Sequence, residues 1–283
     1  MLKLENAQLC LELVDPFADL KLLGSRYCTG GYIFQVRDNI IGDLLSGPTY
    51  PDGGFNSFDG QGAPEVFLTA LNEEKAAIGE DVCVLGVGIV TRTSPKTPFH
   101  VRDNPAVKEF AKWDIDQMAG AITMRTRQVF DKWDTSITRS VSLQERNVES
   151  KTNLSNNGRD PLPLRWFPHP FFPFPKNNVA CRISGSVSVP NNPGFSINDE
   201  GYIELKPGYN WKKGLYQPLI IDNTGIFSAK QLHPLVEKVI VRCNYIPSFI
   251  PVWANDNTFS FEPYLETEIK SCDHVTWKIQ YEF

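Results

Sequence analysis

Val275-Thr-Trp-Lys-Ile-Gln-Tyr-Glu-Phe283 decides the fold. Val275, Trp277, Ile279, Tyr281 and Phe283 fall on one side of an extended chain. Thr276, Lys278, Gln280 and Glu282 fall on the other. A period of two with large apolar residues in one phase marks a β-strand buried on one face. The same alternation runs earlier, where Ile122, Met124, Thr126, Gln128 and Phe130 interleave with Thr123, Arg125, Arg127 and Val129, and Ile137, Arg139, Val141 and Leu143 extend it. Strands are also expected over Cys181 to Val189, Glu237 to Tyr245 and Phe249 to Trp253. Val82 to Val90 reads as one buried strand running on to Arg92. Two short helices are expected. One runs from Pro64 to Gly79, with proline in its first turn and Leu68, Leu71 and Ala76 roughly in phase; the other spans about Pro105 to Trp113. No repeat, low-complexity tract or linker divides the chain. The expectation is one domain over residues 1–283: an all-β, large antiparallel β-sandwich with one or two short helices.

Composition narrows the function. At 41% hydrophobic and 22% charged residues the chain falls in the globular range, and 283 residues can bury a core without staples. A net charge of −5 argues against general nucleic-acid binding. No apolar run is long enough to span a bilayer. The opening Met1-Leu-Lys-Leu-Glu-Asn6 lacks the apolar centre of a secretory leader. Cys10, Cys28, Cys83, Cys181, Cys243 and Cys272 show no C-x-x-C pairing. A cytoplasmic protein with reduced thiols is therefore expected. The four histidines show no metal-ligand spacing, so neither a metal nor an organic cofactor is expected. The glycine- and proline-rich stretch from Ser46 to Pro64 resists helix and strand alike, and its glycines form no phosphate-binding fingerprint.

Two stretches carry chemistry. In Leu162-Pro-Leu-Arg-Trp-Phe-Pro-His-Pro-Phe-Phe-Pro173, His169 stands between two prolines and among Trp166, Phe167, Phe171 and Phe172. Proline fixes its own φ and pushes the preceding residue to extended geometry, so Phe167 and His169 are both kept out of the helical region. A stiff backbone with bulky neighbours preorganises an imidazole for proton transfer. Packing alone is the plainer alternative. In Thr258-Phe-Ser-Phe-Glu-Pro-Tyr264, Glu262 ends an apolar strand and shares the Ser260 face. A carboxyl so placed is a partly desolvated base with a raised pKa, a rim carboxylate or a salt-bridge partner.

Together these stretches resemble the galactose mutarotase (aldose 1-epimerase) superfamily. Asn156-Asn-Gly-Arg-Asp-Pro-Leu-Pro-Leu164 followed by His169-Pro-Phe-Phe172 is similar to that family's "N-x-G … P-L-P … H-P-Y-F" segment. Phe259-Ser-Phe-Glu262-Pro-Tyr264 is similar to its "C-x-E-P" strand end, and the last strand to the one closing its sandwich. The resemblance runs from about residue 120 to 283. It implies a galactose mutarotase-like supersandwich and a small-molecule carbohydrate as ligand. His169 would be the general acid and Glu262 the general base of a cofactor-independent aldose 1-epimerase that interconverts the anomers of a free sugar. The alternatives are a noncatalytic carbohydrate-binding or regulatory protein on the same scaffold, and a sugar-phosphate epimerase.

The resemblance also implies an aspartate on the sugar hydroxyls, for which Asp222 is the nearest match. The family's N-terminal "N-R" and "H-x-H-G" segments are missing here, and Arg92, Arg26, Glu65 and His100 are the available substitutes. Trp166 and Tyr264 adjoin the two proposed catalytic residues, and aromatic rings with a few polar groups suit a sugar site. The two catalytic side chains are expected to face one cleft with room for a pyranose ring between them.

Overall fold

The computed structural model describes residues 1–51, 53–222 and 225–283. Its backbone is a ten-stranded antiparallel sheet. The strands lie in the order Asp114–Met118, Ala121–Phe130, Trp133–Gln144, Asn147–Asn156, Asp273–Glu282, Glu237–Cys243, Ser228–His233, Val179–Ile183, Ile203–Leu205 and Phe195–Ile197. Asp273–Glu282 sits in its middle, between Asn147–Asn156 and Glu237–Cys243. That position explains its clean alternation: Trp277, Ile279 and Tyr281 are buried, whereas Glu282 is exposed.

Two smaller sheets carry the site. In one, Leu162–Pro168 pairs with both Leu265–Ile269 and Glu65–Phe67. In the other, Phe172–Pro173, Thr258–Phe261, Pro251–Ala254 and Leu215–Pro218 lie in that order. Aromatic rings join the first of these sheets to the large one. Trp277 meets Trp166 with ring centroids 5.2 Å apart and Phe67 at 6.1 Å, both edge-on. One continuous apolar core holds all three rings. The all-β sandwich expected from the alternation is the fold.

The two expected helices are strands instead. Glu65–Phe67 pairs with Trp166–Pro168, and Ala70–Leu71 pairs with Cys83 and Val84. Val107–Phe110 pairs with Gly88–Thr91. Partners remote in sequence override a weak local helical phase. Among the described residues the helical turns are three single 3₁₀ turns, at Leu20–Leu22, Val101–Asp103 and Trp211–Lys213. The expected strand from Val82 to Arg92 is a hairpin of Asp81–Val84 and Gly88–Thr91. Its turn passes through Gly86 at φ +71°, a left-handed conformation that a side chain disfavours.

Candidate active site

His169 follows directly on Leu162–Pro168, and the sheet carries its backbone: His169 N–H donates to Pro64 O at 2.8 Å. The glycine-rich stretch holds what comes next. Phe171 N–H donates to Gly62 O at 2.8 Å, and Ser46 N–H donates to Phe171 O at 2.7 Å. Gly62 has φ +80°, and a Cβ there would collide with Phe34 O. Glycine is thus required for the chain to pass under the histidine segment. The same stretch grips the carboxylate strand, because Asn255 Nδ2 and Asn257 Nδ2 both donate to Pro48 O, at 2.7 and 2.8 Å. So the loop, apart from Asp52, which lies outside the described residues, clasps both the His169 and the Glu262 segments.

Glu262 ends the Thr258–Phe261 strand, and its N–H donates to Pro251 O at 3.0 Å. Period two puts Ser260 on the same side. The result is a contact of three side chains. His169 Nε2 lies 3.2 Å from Glu262 Oε1, and His169 Nδ1 lies 2.8 Å from Ser260 Oγ. His169 is 2% exposed and Glu262 4%. Phe171 packs on the imidazole at a centroid distance of 4.3 Å, and Trp253 approaches it edge-on at 6.4 Å. The expected ring-sized gap between His169 and Glu262 is absent: the two touch, and together they present one edge to the cleft.

That cleft has a volume of about 1240 Å³ and is lined by His169, Glu262, Trp253, Tyr264, Arg26 and His100, among others. Its electrostatics are unusual. Burial pushes the Glu262 carboxyl up to about 7 against a downward pull from Arg26. Burial, helped by the Arg26 guanidinium, holds the His169 imidazole well below its ordinary value. Both effects disfavour the charged forms, as expected for groups taken out of water. Burial thus favours a neutral carboxylic acid beside a neutral imidazole over an ion pair of the two.

The structure sorts the remaining sequence candidates. Arg26, His100 and Tyr264 line the cleft with the pair. Arg26 sits over the rings of Tyr27 and Phe58, 5.0 Å from each centroid, and donates to Phe58 O at 3.2 Å. His100 Nδ1 accepts from Arg102 N–H at 3.0 Å, which leaves Nε2 as the protonated nitrogen of the neutral ring. Tyr264 stacks on Phe167 at 4.4 Å.

Four candidates lie elsewhere. Trp166 is fully buried against Trp277 and Tyr245. Glu65 is a buried ion-pair partner of Arg139 and accepts from Ser150 Oγ at 2.6 Å. Arg92 donates to the carbonyls of Glu73, Ala76, Ser94 and Lys96, which occupies its guanidinium structurally. Asp222 is exposed on the ribbon of Ser186–Ser188 and Ile220–Asp222, beside Asn223 and Thr224, which lie outside the described residues. Sequence reasoning missed Trp253, which faces Ser260 across the sheet. It also gave Ser260 no role, although the two-residue spacing to Glu262 was visible.

No family model matches the sequence, and no curated protein is detectably similar to it. Solved structures do match. A candidate aldose 1-epimerase from Escherichia coli aligns with a TM-score of 0.60 at 12% identity, over 99% of this chain and 97% of that one. A galactose mutarotase-like protein from Lactobacillus casei aligns at 0.58 and 12% identity, over 100% and 99% of the two chains. A galactose mutarotase related enzyme from Lactobacillus acidophilus aligns at 0.55 and 12%, over 100% and 97%. The fold of this chain is thus galactose mutarotase-like, from end to end.

Proposed function

We propose that the cleft binds a sugar and that His169 and Glu262 interconvert its anomers. The observation that carries this reading is the 3.2 Å contact between Nε2 and Oε1 at the wall of a cleft that aromatic rings also line. Opening a cyclic hemiacetal requires one proton taken from the anomeric hydroxyl and one given to the ring oxygen. Those two oxygens share a carbon, so an acid and a base in contact reach both from one edge of the ring. A pair on opposite faces is not needed.

The neutral resting pair sets the order of events. Glu262 carries the proton and gives it to the ring oxygen, while the His169 Nε2 lone pair takes the hydroxyl proton. On reclosure from the other face the ring hydroxyl returns its proton to Glu262, and the imidazolium returns its own to the anomeric oxygen. Protons balance over the cycle, and each group acts once as acid and once as base. The resemblance implied histidine as the first acid; burial favours the reverse order at the start of the cycle.

Tyr264 and Trp253 offer flat apolar faces to the sugar, and Arg26 and His100 offer donors to its hydroxyls. A sugar carrying an anionic group is a second reading, favoured by Arg26, Arg102 and Lys213 on the cleft wall. Polarimetry and exchange NMR between anomeric signals, run on free and phosphorylated aldoses, test both. Acceleration abolished by His169→Asn and Glu262→Gln is the expected result. Binding without acceleration would leave a noncatalytic sugar-binding protein.

A further inference from the structure

We infer that Ser260 is a positioning residue for His169: its hydroxyl accepts the Nδ1 proton of the imidazole and leaves the Nε2 lone pair free for Glu262 and the substrate. The catalytic consequence rests on the acid–base reading above; the assignment of the hydrogen bond does not.

Ser260 is fully buried within Thr258–Phe261, and its backbone is fixed by pairing with Trp253. Its Oγ lies 2.8 Å from Nδ1, and among the described residues the hydroxyl has no other hydrogen-bond partner. Apart from Glu262 at Nε2, the other close neighbours of the ring are aromatic. Phe171 and Phe167 lie at 4.3 and 6.1 Å, and Tyr27 meets it edge-on at 6.3 Å. Remove the hydroxyl and Nδ1 is left buried without a partner, which is costly for a polar nitrogen.

The direction of the bond follows from counting protons. A neutral imidazole has one N–H and one bare nitrogen. A protonated Glu262 carboxyl needs an acceptor, and Nε2 at 3.2 Å is the near one. If Nε2 accepts, the ring proton sits on Nδ1, and Ser260 Oγ must accept it. When Glu262 ionises, the demand reverses. A carboxylate facing a bare nitrogen is repelled, so the ring proton moves to Nε2 and the serine hydroxyl turns to donate. A hydroxyl can serve both states because it rotates and carries both a donor and acceptors.

Arg26, Asp59, His100, Arg165, Tyr216 and Tyr264 line the cleft with the pair, and Tyr27 packs on the imidazole. Burial drives all three tyrosines to stay protonated. Burial and Arg26 keep His100 neutral toward lower pH. Glu262 is the member of the pair that burial brings to about 7.

Imidazole ¹⁵N shifts test the inference directly. His169→Asn identifies the His169 signals among the four histidines. At pH 6 wild type should show a protonated Nδ1 and a bare Nε2, and at pH 9 the reverse. Ser260→Ala should hold the Nε2–H form at both. A wild-type ring carrying Nε2–H at pH 6, or a pH 6 tautomer unchanged by Ser260→Ala, overturns the inference. The kinetic arm expects kcat to drop by about 10- to 100-fold in Ser260→Ala with KM little changed, and Ser260→Cys to recover part of the loss. A drop confined to KM also counts against it. Should wild type accelerate the mutarotation of no sugar, the acid–base reading fails, while the ¹⁵N result still decides what Ser260 does.

Discussion

His169 Nε2 and Glu262 Oε1 are 3.2 Å apart although 93 positions separate them in sequence. The pair is useful while it holds a transferable proton. Below about pH 7 Glu262 has one to give and His169 has a lone pair to receive one. Once Glu262 ionises, the pair can take a proton, but the neutral ring cannot give one without becoming an imidazolate. The rate of anomer interconversion should therefore fall as pH rises through about 7. A pH–rate profile of kcat measures this, and a rate that rises through that window would refute the proton assignment.

Stability responds to the same carboxyl with a definite sign. Its folded value of about 7 lies above the ordinary 4.5, so the favourable contribution is full below 4.5 and is lost as pH rises through 7. Glu262→Gln removes this dependence. The variant should gain on wild type by about 2.5 kcal/mol between pH 5 and 8.5. Urea denaturation of both proteins at the two pH values checks the difference.

Much of this was legible in the sequence, and the failures have physical causes. The alternation of Trp277, Ile279 and Tyr281 reads directly as a one-sided strand because the strand is central and long. The two prolines around His169 act locally, so the segment's stiffness could be read locally too. Trp166 was misassigned although its phase was visible: Leu162, Leu164 and Trp166 share one side of their strand, and all three are buried. Glu65 was misassigned for a different reason. Its partner Arg139 stands 74 residues away, and no local pattern announces a buried ion pair. Arg92 is held by four backbone carbonyls, which leave no trace in side-chain identity.

The Glu65–Arg139 pair yields a contrast between stability and function. Both side chains are almost fully buried, and Ser150 bridges them by accepting from Arg139 Nη2 at 2.9 Å and donating to Glu65 at 2.6 Å. Removing one partner strands a charge in the interior. Glu65→Ala should cost about 3–5 kcal/mol, by chemical denaturation, with KM for any accepted sugar unchanged in the protein that remains folded.

Two aromatic residues should part in the same way. Trp166→Ala empties a core position against Trp277 and should cost about 3–5 kcal/mol of stability. Tyr264 lines the cleft and stacks on Phe167 at 4.4 Å. Tyr264→Ala should raise KM several-fold by removing a face for the sugar, and titration of sugar protons by NMR would show weaker binding. A binding loss in Trp166→Ala larger than in Tyr264→Ala would return Trp166 to the site.

Arg26 supplies the last test, because its effect on Glu262 has a sign that simple loss of a binding residue lacks. Its positive charge favours the carboxylate, so it lowers the Glu262 value while burial raises it. Arg26→Gln takes the opposing influence away, and burial then acts alone. The alkaline limb of the pH–rate profile should move to higher pH, even as KM rises from the lost donor. A residue that merely bound substrate would raise KM and leave the limb in place. A limb that moves to lower pH would mean that Arg26 does not act on Glu262 through its charge.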